Sequence, residues 1–128
     1  AILELADNLG EGFGWMEVDE ETESNVQCAG YSADYQGGRT LTLHDKCNIV
    51  SESHDILLHN CHATRGSSGA PIFIMRNDKA FLVALNVGEF RGDGEKSLFL
   101  PKYDEKYANT AIKTSRFESK LKELREKE

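Results

Sequence analysis

Short β-leaning runs, several of them alternating apolar and polar residues and with turn signals between them, recur along the chain at residues 26–31, 40–44, 47–50, 55–59, 71–75, 80–87 and 97–100. A period of two puts every second side chain on one face of an extended segment, so the alternating runs read as β-strands with one face buried. Gly37-Gly38 and Asn77-Asp78 tolerate the left-handed backbone that tight turns need. The second pair predicts a hairpin joining 71–75 to 80–87. With no internal repeat and no low-complexity tract between them, these strands predict an all-β barrel. The charge run Asp19-Glu20-Glu21-Thr22-Glu23 reads as a solvated loop.

The tail changes period. Phe117, Leu121 and Leu124 fall on one stripe of a helix, and Ser115 with Glu118 has the spacing of a capping box. Glu118 and Lys122 are placed for a favourable i,i+4 pair. A single apolar stripe means a single docking surface, which predicts a helix closing the barrel of its own chain.

Composition narrows the function classes. The 128 residues are 39% apolar, enough for one domain with a core, and the net charge is −7. That acidity argues against nucleic acid or an anionic membrane surface as the main partner, since both reward a basic face. No apolar run approaches the ~20 residues that cross a bilayer. Cys28, in Val26-Gln27-Cys28-Ala29, is expected on a buried strand face as a small apolar residue.

The candidate chemistry lies in Ala63-Thr64-Arg65-Gly66-Ser67-Ser68-Gly69-Ala70-Pro71, which runs straight into Ile72-Phe73-Ile74-Met75. A hydroxyl at Ser68 stands between glycines that let the backbone approach a substrate, and a strand follows at once. In such a turn the amides of Gly66 and Ser68 can converge on a developing oxyanion, where each donor contributes on the order of 3 kcal/mol to the rate. All four histidines, His44, His54, His59 and His62, precede Ser68. The α/β-hydrolase elbow needs its histidine after the serine, so that fold is excluded. His62 is close in sequence, but it lies on the approach to the turn and would have to double back to serve as base.

Gly66-Ser67-Ser68-Gly69-Ala70-Pro71 resembles the nucleophile motif Gly-x-Ser-Gly-[Gly/Ser/Ala]-Pro of chymotrypsin-fold serine peptidases, in particular the bacterial secreted branch that includes the glutamyl endopeptidases. The resemblance implies Ser68 as nucleophile and the amides of Gly66 and Ser68 as oxyanion hole. Leu82-Val83-Ala84-Leu85-Asn86-Val87-Gly88 resembles the strand that pairs with substrate backbone, Ala1-Ile2-Leu3-Glu4-Leu5 the strand after the catalytic aspartate, and Asn109-Thr110-Ala111-Ile112 with its helix the family's C-terminal ending. The implied organisation is the last strand of a first barrel and a linker at 1–14, a second Greek-key β-barrel at 15–112 and a C-terminal helix at 113–128. The catalytic histidine and aspartate would then precede Ala1, in an N-terminal barrel of the same protein, and this chain alone would be inactive or nearly so. Ser67 stands where trypsin-type enzymes carry an aspartate that binds a newly formed N-terminus, so that activation switch is not expected.

The same resemblance gives the substrate pocket to His62, Ala63, Arg65, Asn86, Val87 and Gly88. His62 and Arg65 would suit an acidic side chain, although the glutamyl endopeptidases carry a histidine where Asn86 stands. It also implies a disulfide between Cys47 and Cys61, worth ~3 kcal/mol in the chain-entropy model and formed in an oxidising, secreted or periplasmic setting. Peptide or protein is the expected substrate, with no cofactor and no metal. Two other classes stand beside this reading. One is a non-catalytic peptidase-like interaction module. The other is a zinc-binding module built on His44-x-x-Cys47 and His59-x-Cys61-His62, whose spacing is looser than that of zinc knuckles.

Overall fold

A computed structural model describes residues 1–89 and 108–127. The helical turn α1 (Leu9–Phe13) precedes strands β1 (Glu17–Val18), β2 (Asn25–Gly30), β3 (Thr42–Glu52), β4 (Ile56–His59), β5 (Pro71–Arg76), β6 (Lys79–Glu89) and β7 (Asn109–Lys113), and the chain ends in helix α2 (Glu118–Arg125). Strands β6, β5, β2, β3, β4 and β7 are neighbours in that order, and β6 pairs again with β7. Every one of these pairings is antiparallel, so the six strands close into a barrel with no free edge. The two-residue β1 adds to the outside of β6 in parallel.

The alternation that predicts the strands also fills the barrel. Val26 and Cys28 from β2, Cys47 from β3, Leu57 from β4, Ile72 and Ile74 from β5, Val83 and Ala84 from β6 and Ala111 from β7 form one buried cluster. Cys28 is a free thiol there, and burial pushes its pKa up to about 11. Asn77 and Asp78 both take positive φ, 49° and 62°, in the two-residue turn between the register partners Arg76 and Lys79. That is the predicted hairpin. The expected strand at 97–100 lies outside the described residues.

Register shifts account for the departures from simple alternation. Runs 40–44 and 47–50 form the single strand β3, because the register moves from Val26↔Cys47 to Cys28↔His44 and an irregularity absorbs Asp45-Lys46 without a turn. Ile72, Phe73 and Ile74 are all buried although they are consecutive, and a shift between Ile72 and Phe73 explains it. Most consequential for function, β6 shifts against β7 between Asn86 and Gly88. Asn86 is buried, whereas Val87 is 44% exposed.

Both ends differ from expectation. Residues 1–5 form no strand and are exposed, since a strand needs a partner's backbone groups and no strand among the described residues pairs with them. The capping box is absent: Ser115 falls within a 3₁₀ turn, Thr114–Arg116, and Phe117 takes the N-cap position without a side-chain cap. Thr114 is the cause, because its hydroxyl donates to the Asp19 carbonyl at 2.6 Å and commits the preceding turn to the barrel. The Glu118–Lys122 pair forms at 3.0 Å. Phe117, Leu121 and Leu124 are each partly buried. The acidic run is more than a solvated loop, since Asp19 and Glu23 both pair with Arg76 of β5.

Candidate active site

The turn that carries Ser68 links residue 63 to β5, and its shape follows from two glycines. Gly66 has φ 97° and Gly69 has φ 86°, a region that side chains strain to enter. At Gly66 there is a second constraint: a Cβ would lie 2.9 Å from the Tyr31 carbonyl oxygen. Between these glycines Ser68 is exposed, and its hydroxyl donates to the Val87 carbonyl at 3.3 Å. Ser68 therefore sits against the irregular end of β6.

The amides of the turn alternate in their engagement. Ser67 N–H donates to Thr64 O at 3.1 Å, Gly69 N–H to Asn86 O at 2.7 Å and Ala70 N–H to Ser67 O at 3.0 Å. Among the described residues, the Gly66 and Ser68 amides donate to no protein acceptor. Two unengaged donors flanking an exposed hydroxyl are what binding of a tetrahedral oxyanion requires.

Ser67 faces inward. Its hydroxyl lies 2.7 Å from the Ser32 hydroxyl, both residues are buried, and Ala33 N–H donates to Arg65 O at 2.8 Å. The loop after β2 thus supports the turn from beneath. From the other side, the Asn109 side chain donates to Cys61 O at 2.8 Å and to Ala63 O at 3.1 Å, fixing the approach to the turn.

Beneath the turn runs a buried polar chain. Cys61 N–H donates to His59 Nδ1 at 3.2 Å, His59 Nε2 meets Asn86 Oδ1 at 3.0 Å, and Asn86 Nδ2 donates to Ser67 O at 3.0 Å. An amide can only donate, so His59 Nδ1 accepts and the ring proton sits on Nε2. Burial holds the His59 pKa below its ordinary value and outweighs the opposing hydrogen bond to Asn86. The ring is neutral.

His62 behaves differently. It is exposed, and its Nε2 meets Asp34 Oδ2 at 2.5 Å while Thr64 Oγ1 donates to Asp34 Oδ1 at 2.9 Å. Partial burial pushes the Asp34 carboxyl up, but the bonds from His62 and Thr64 prevail and hold it below the usual carboxylate range. The His62 backbone N–H donates to His44 Nδ1 at 2.7 Å. Among the described residues Ser68 Oγ meets no histidine.

The pocket residues expected from sequence divide into two groups. His62, Arg65 and Val87 are exposed and Gly88 is half-buried, while Ala63 and Asn86 are buried. Both ends of the Asn86 amide are engaged inside the protein, so its side chain serves the turn. Cys47 and Cys61 form the expected disulfide, with Cα atoms 4.8 Å apart, and this bond takes both sulfurs on which the zinc alternative relied. Asp34, Ser32 and the inward role of His59 were not anticipated from sequence. For His59 a signal existed: it lies two residues beyond the core residue Leu57, on the same face of β4.

Compared with models of protein families and with curated proteins, the chain finds no match.

Proposed function

We propose that this chain is the nucleophile-bearing barrel of a chymotrypsin-like serine endopeptidase. One observation carries the proposal: an exposed Ser68 hydroxyl between two positive-φ glycines, flanked by the unengaged amides of Gly66 and Ser68. The strand order β2-β3-β4-β7-β6-β5 supports a Greek-key path, because β7 returns to lie between β4 and β6. The disulfide supports an extracellular or periplasmic setting.

In this mechanism Ser68 Oγ attacks the scissile carbonyl carbon while a histidine, supplied by polypeptide preceding Ala1 and oriented by an aspartate there, takes the hydroxyl proton. The carbonyl oxygen becomes an oxyanion held by the Gly66 and Ser68 amides. The histidine returns the proton to the leaving amine, an ester to Ser68 remains, and water cleaves it by the same steps. His62, Arg65, Val87 and Gly88 face the pocket for the substrate side chain, with the exposed His62 and Arg65 at its polar part, while the buried Ala63 and Asn86 support it from behind. Peptide cleavage by the protein carrying its upstream polypeptide, abolished by Ser68→Ala, is the expected result. Equal cleavage by both forms would remove Ser68 from the chemistry.

A second reading keeps the barrel as a non-catalytic peptide-binding module. It is favoured by the bond from Ser68 Oγ to the Val87 carbonyl, which occupies the hydroxyl without activating it. Saturable peptide binding with no Ser68-dependent turnover would select it.

A further inference from the structure

We infer that Asn86, oriented by His59, is the positioning residue that aims the Ser68 amide out of the barrel as an oxyanion donor. The catalytic meaning of this inference rests on the endopeptidase reading.

A peptide unit is planar, and when trans its carbonyl and its amide point in opposite directions. No cis peptide occurs among the described residues. Whatever holds the carbonyl of one residue therefore aims the amide of the next. The Ser67 carbonyl receives Asn86 Nδ2–H and Ala70 N–H, each at 3.0 Å. Asn86 is 3% exposed and lies inside the barrel. With the Ser67 carbonyl turned toward that buried donor, the Ser68 N–H faces the opposite way. The Gly66 amide is aimed by the same logic, since Ala33 N–H holds the Arg65 carbonyl.

An asparagine amide can present either its oxygen or its nitrogen to Ser67, and only the nitrogen can hold a carbonyl. His59 makes the choice. Its Nδ1 is committed to accepting from Cys61 N–H, so its Nε2–H must find an acceptor, and that acceptor is Asn86 Oδ1. Nδ2 is left for Ser67. The donors run in one direction, from Cys61 through His59 and Asn86 to Ser67, in a site where His59 has no solvent exposure to supply a substitute. The disulfide at Cys61 anchors the start of this chain.

Asn86→Asp replaces the donor with a second acceptor and leaves the Ser67 carbonyl facing a carboxylate. In the protein carrying its upstream polypeptide, kcat for peptide hydrolysis should fall about 10²–10³-fold, the effect of losing one oxyanion donor, with KM changed less than about twofold. The ratio of variant to wild-type kcat, taken at the same pH so that protonation of the catalytic histidine cancels, should rise as pH falls and the new carboxyl regains a proton to donate. His59→Phe should lower kcat in the same way, while His59→Gln, which keeps a donor toward Asn86 Oδ1, should retain more of it. The His59 pair decides the matter if Asn86→Asp does not fold. Wild-type kcat and KM in both Asn86→Asp and His59→Phe would overturn the inference and leave the endopeptidase reading intact. Absence of Ser68-dependent turnover in the wild type would overturn that reading instead. The inference would then be judged on a crystal structure of the Asn86→Asp chain: a rotated Ser67–Ser68 peptide plane supports it, and an unmoved one refutes it.

Discussion

Gly66 and Tyr31 approach so closely that the turn has no room for a side chain at residue 66, where a Cβ would meet the Tyr31 carbonyl oxygen at 2.9 Å. Gly69 shares the positive φ, but among the described residues no atom beyond its chain neighbours lies within 4 Å of its Cβ position. The two glycines therefore separate backbone strain from steric exclusion. Gly69→Ala should cost about 1 kcal/mol, and Gly66→Ala should cost more because the loop after β2 must also move. Urea denaturation of the two variants checks the order, and equal costs would contradict the packing.

Reducing the disulfide tests the foundation of the polar chain. The Cys47–Cys61 bond closes a separation of 14 residues, for which the chain-entropy account predicts about 3 kcal/mol. Denaturation of the Cys47→Ser/Cys61→Ser double variant should show a loss of that order. A loss below about 1 kcal/mol would mean that the barrel holds this segment without the bond.

His59 predicts a pH dependence with a definite sign. Its folded pKa lies below its ordinary value of 6.5 because burial disfavours the cation. The unfolded chain therefore binds the proton more readily, so this contribution to stability is complete above about pH 6.5 and is lost as pH falls through the lower folded value. His59→Gln should flatten the stability profile between neutral pH and pH 5. An unchanged slope in denaturation midpoints over that interval would assign the acid sensitivity to other groups.

Thr114 ties the start of the C-terminal segment to the acidic loop. Its hydroxyl is buried against the Asp19 carbonyl at 2.6 Å. Thr114→Val keeps the shape and strands that carbonyl, at a cost of about 1–3 kcal/mol. Hydrogen exchange should quicken first in α2. Uniform quickening across the barrel would place the bond in the global core instead.

Patterning was most legible where it had to satisfy one buried face. Leu57, Ile72 and Ile74 mark strand interiors, and Asn77-Asp78 marks the hairpin because few residues accept its backbone. The motif around Ser68 and the pairing of Cys47 with Cys61 were reached through resemblance. What stayed hidden depends on register. Asp45-Lys46 reads as a turn in isolation, yet a shift between strands carries it within β3. Ser115 has the spacing of a cap, but Thr114 is drawn to Asp19 from 95 residues away. The contacts of His59 with Asn86 and of His62 with Asp34 span 27 and 28 residues, and local sequence gives no measure of such distances.

The nucleophilic role proposed for Ser68 is tested most directly by treating the protein that carries the proposed upstream polypeptide with a fluorophosphonate and locating the adduct by peptide mass spectrometry. A single phosphonyl group on Ser68 is expected, absent from Ser68→Ala and slowed in Asn86→Asp. A folded protein that takes up no label at Ser68, or takes it up equally after denaturation, would contradict it.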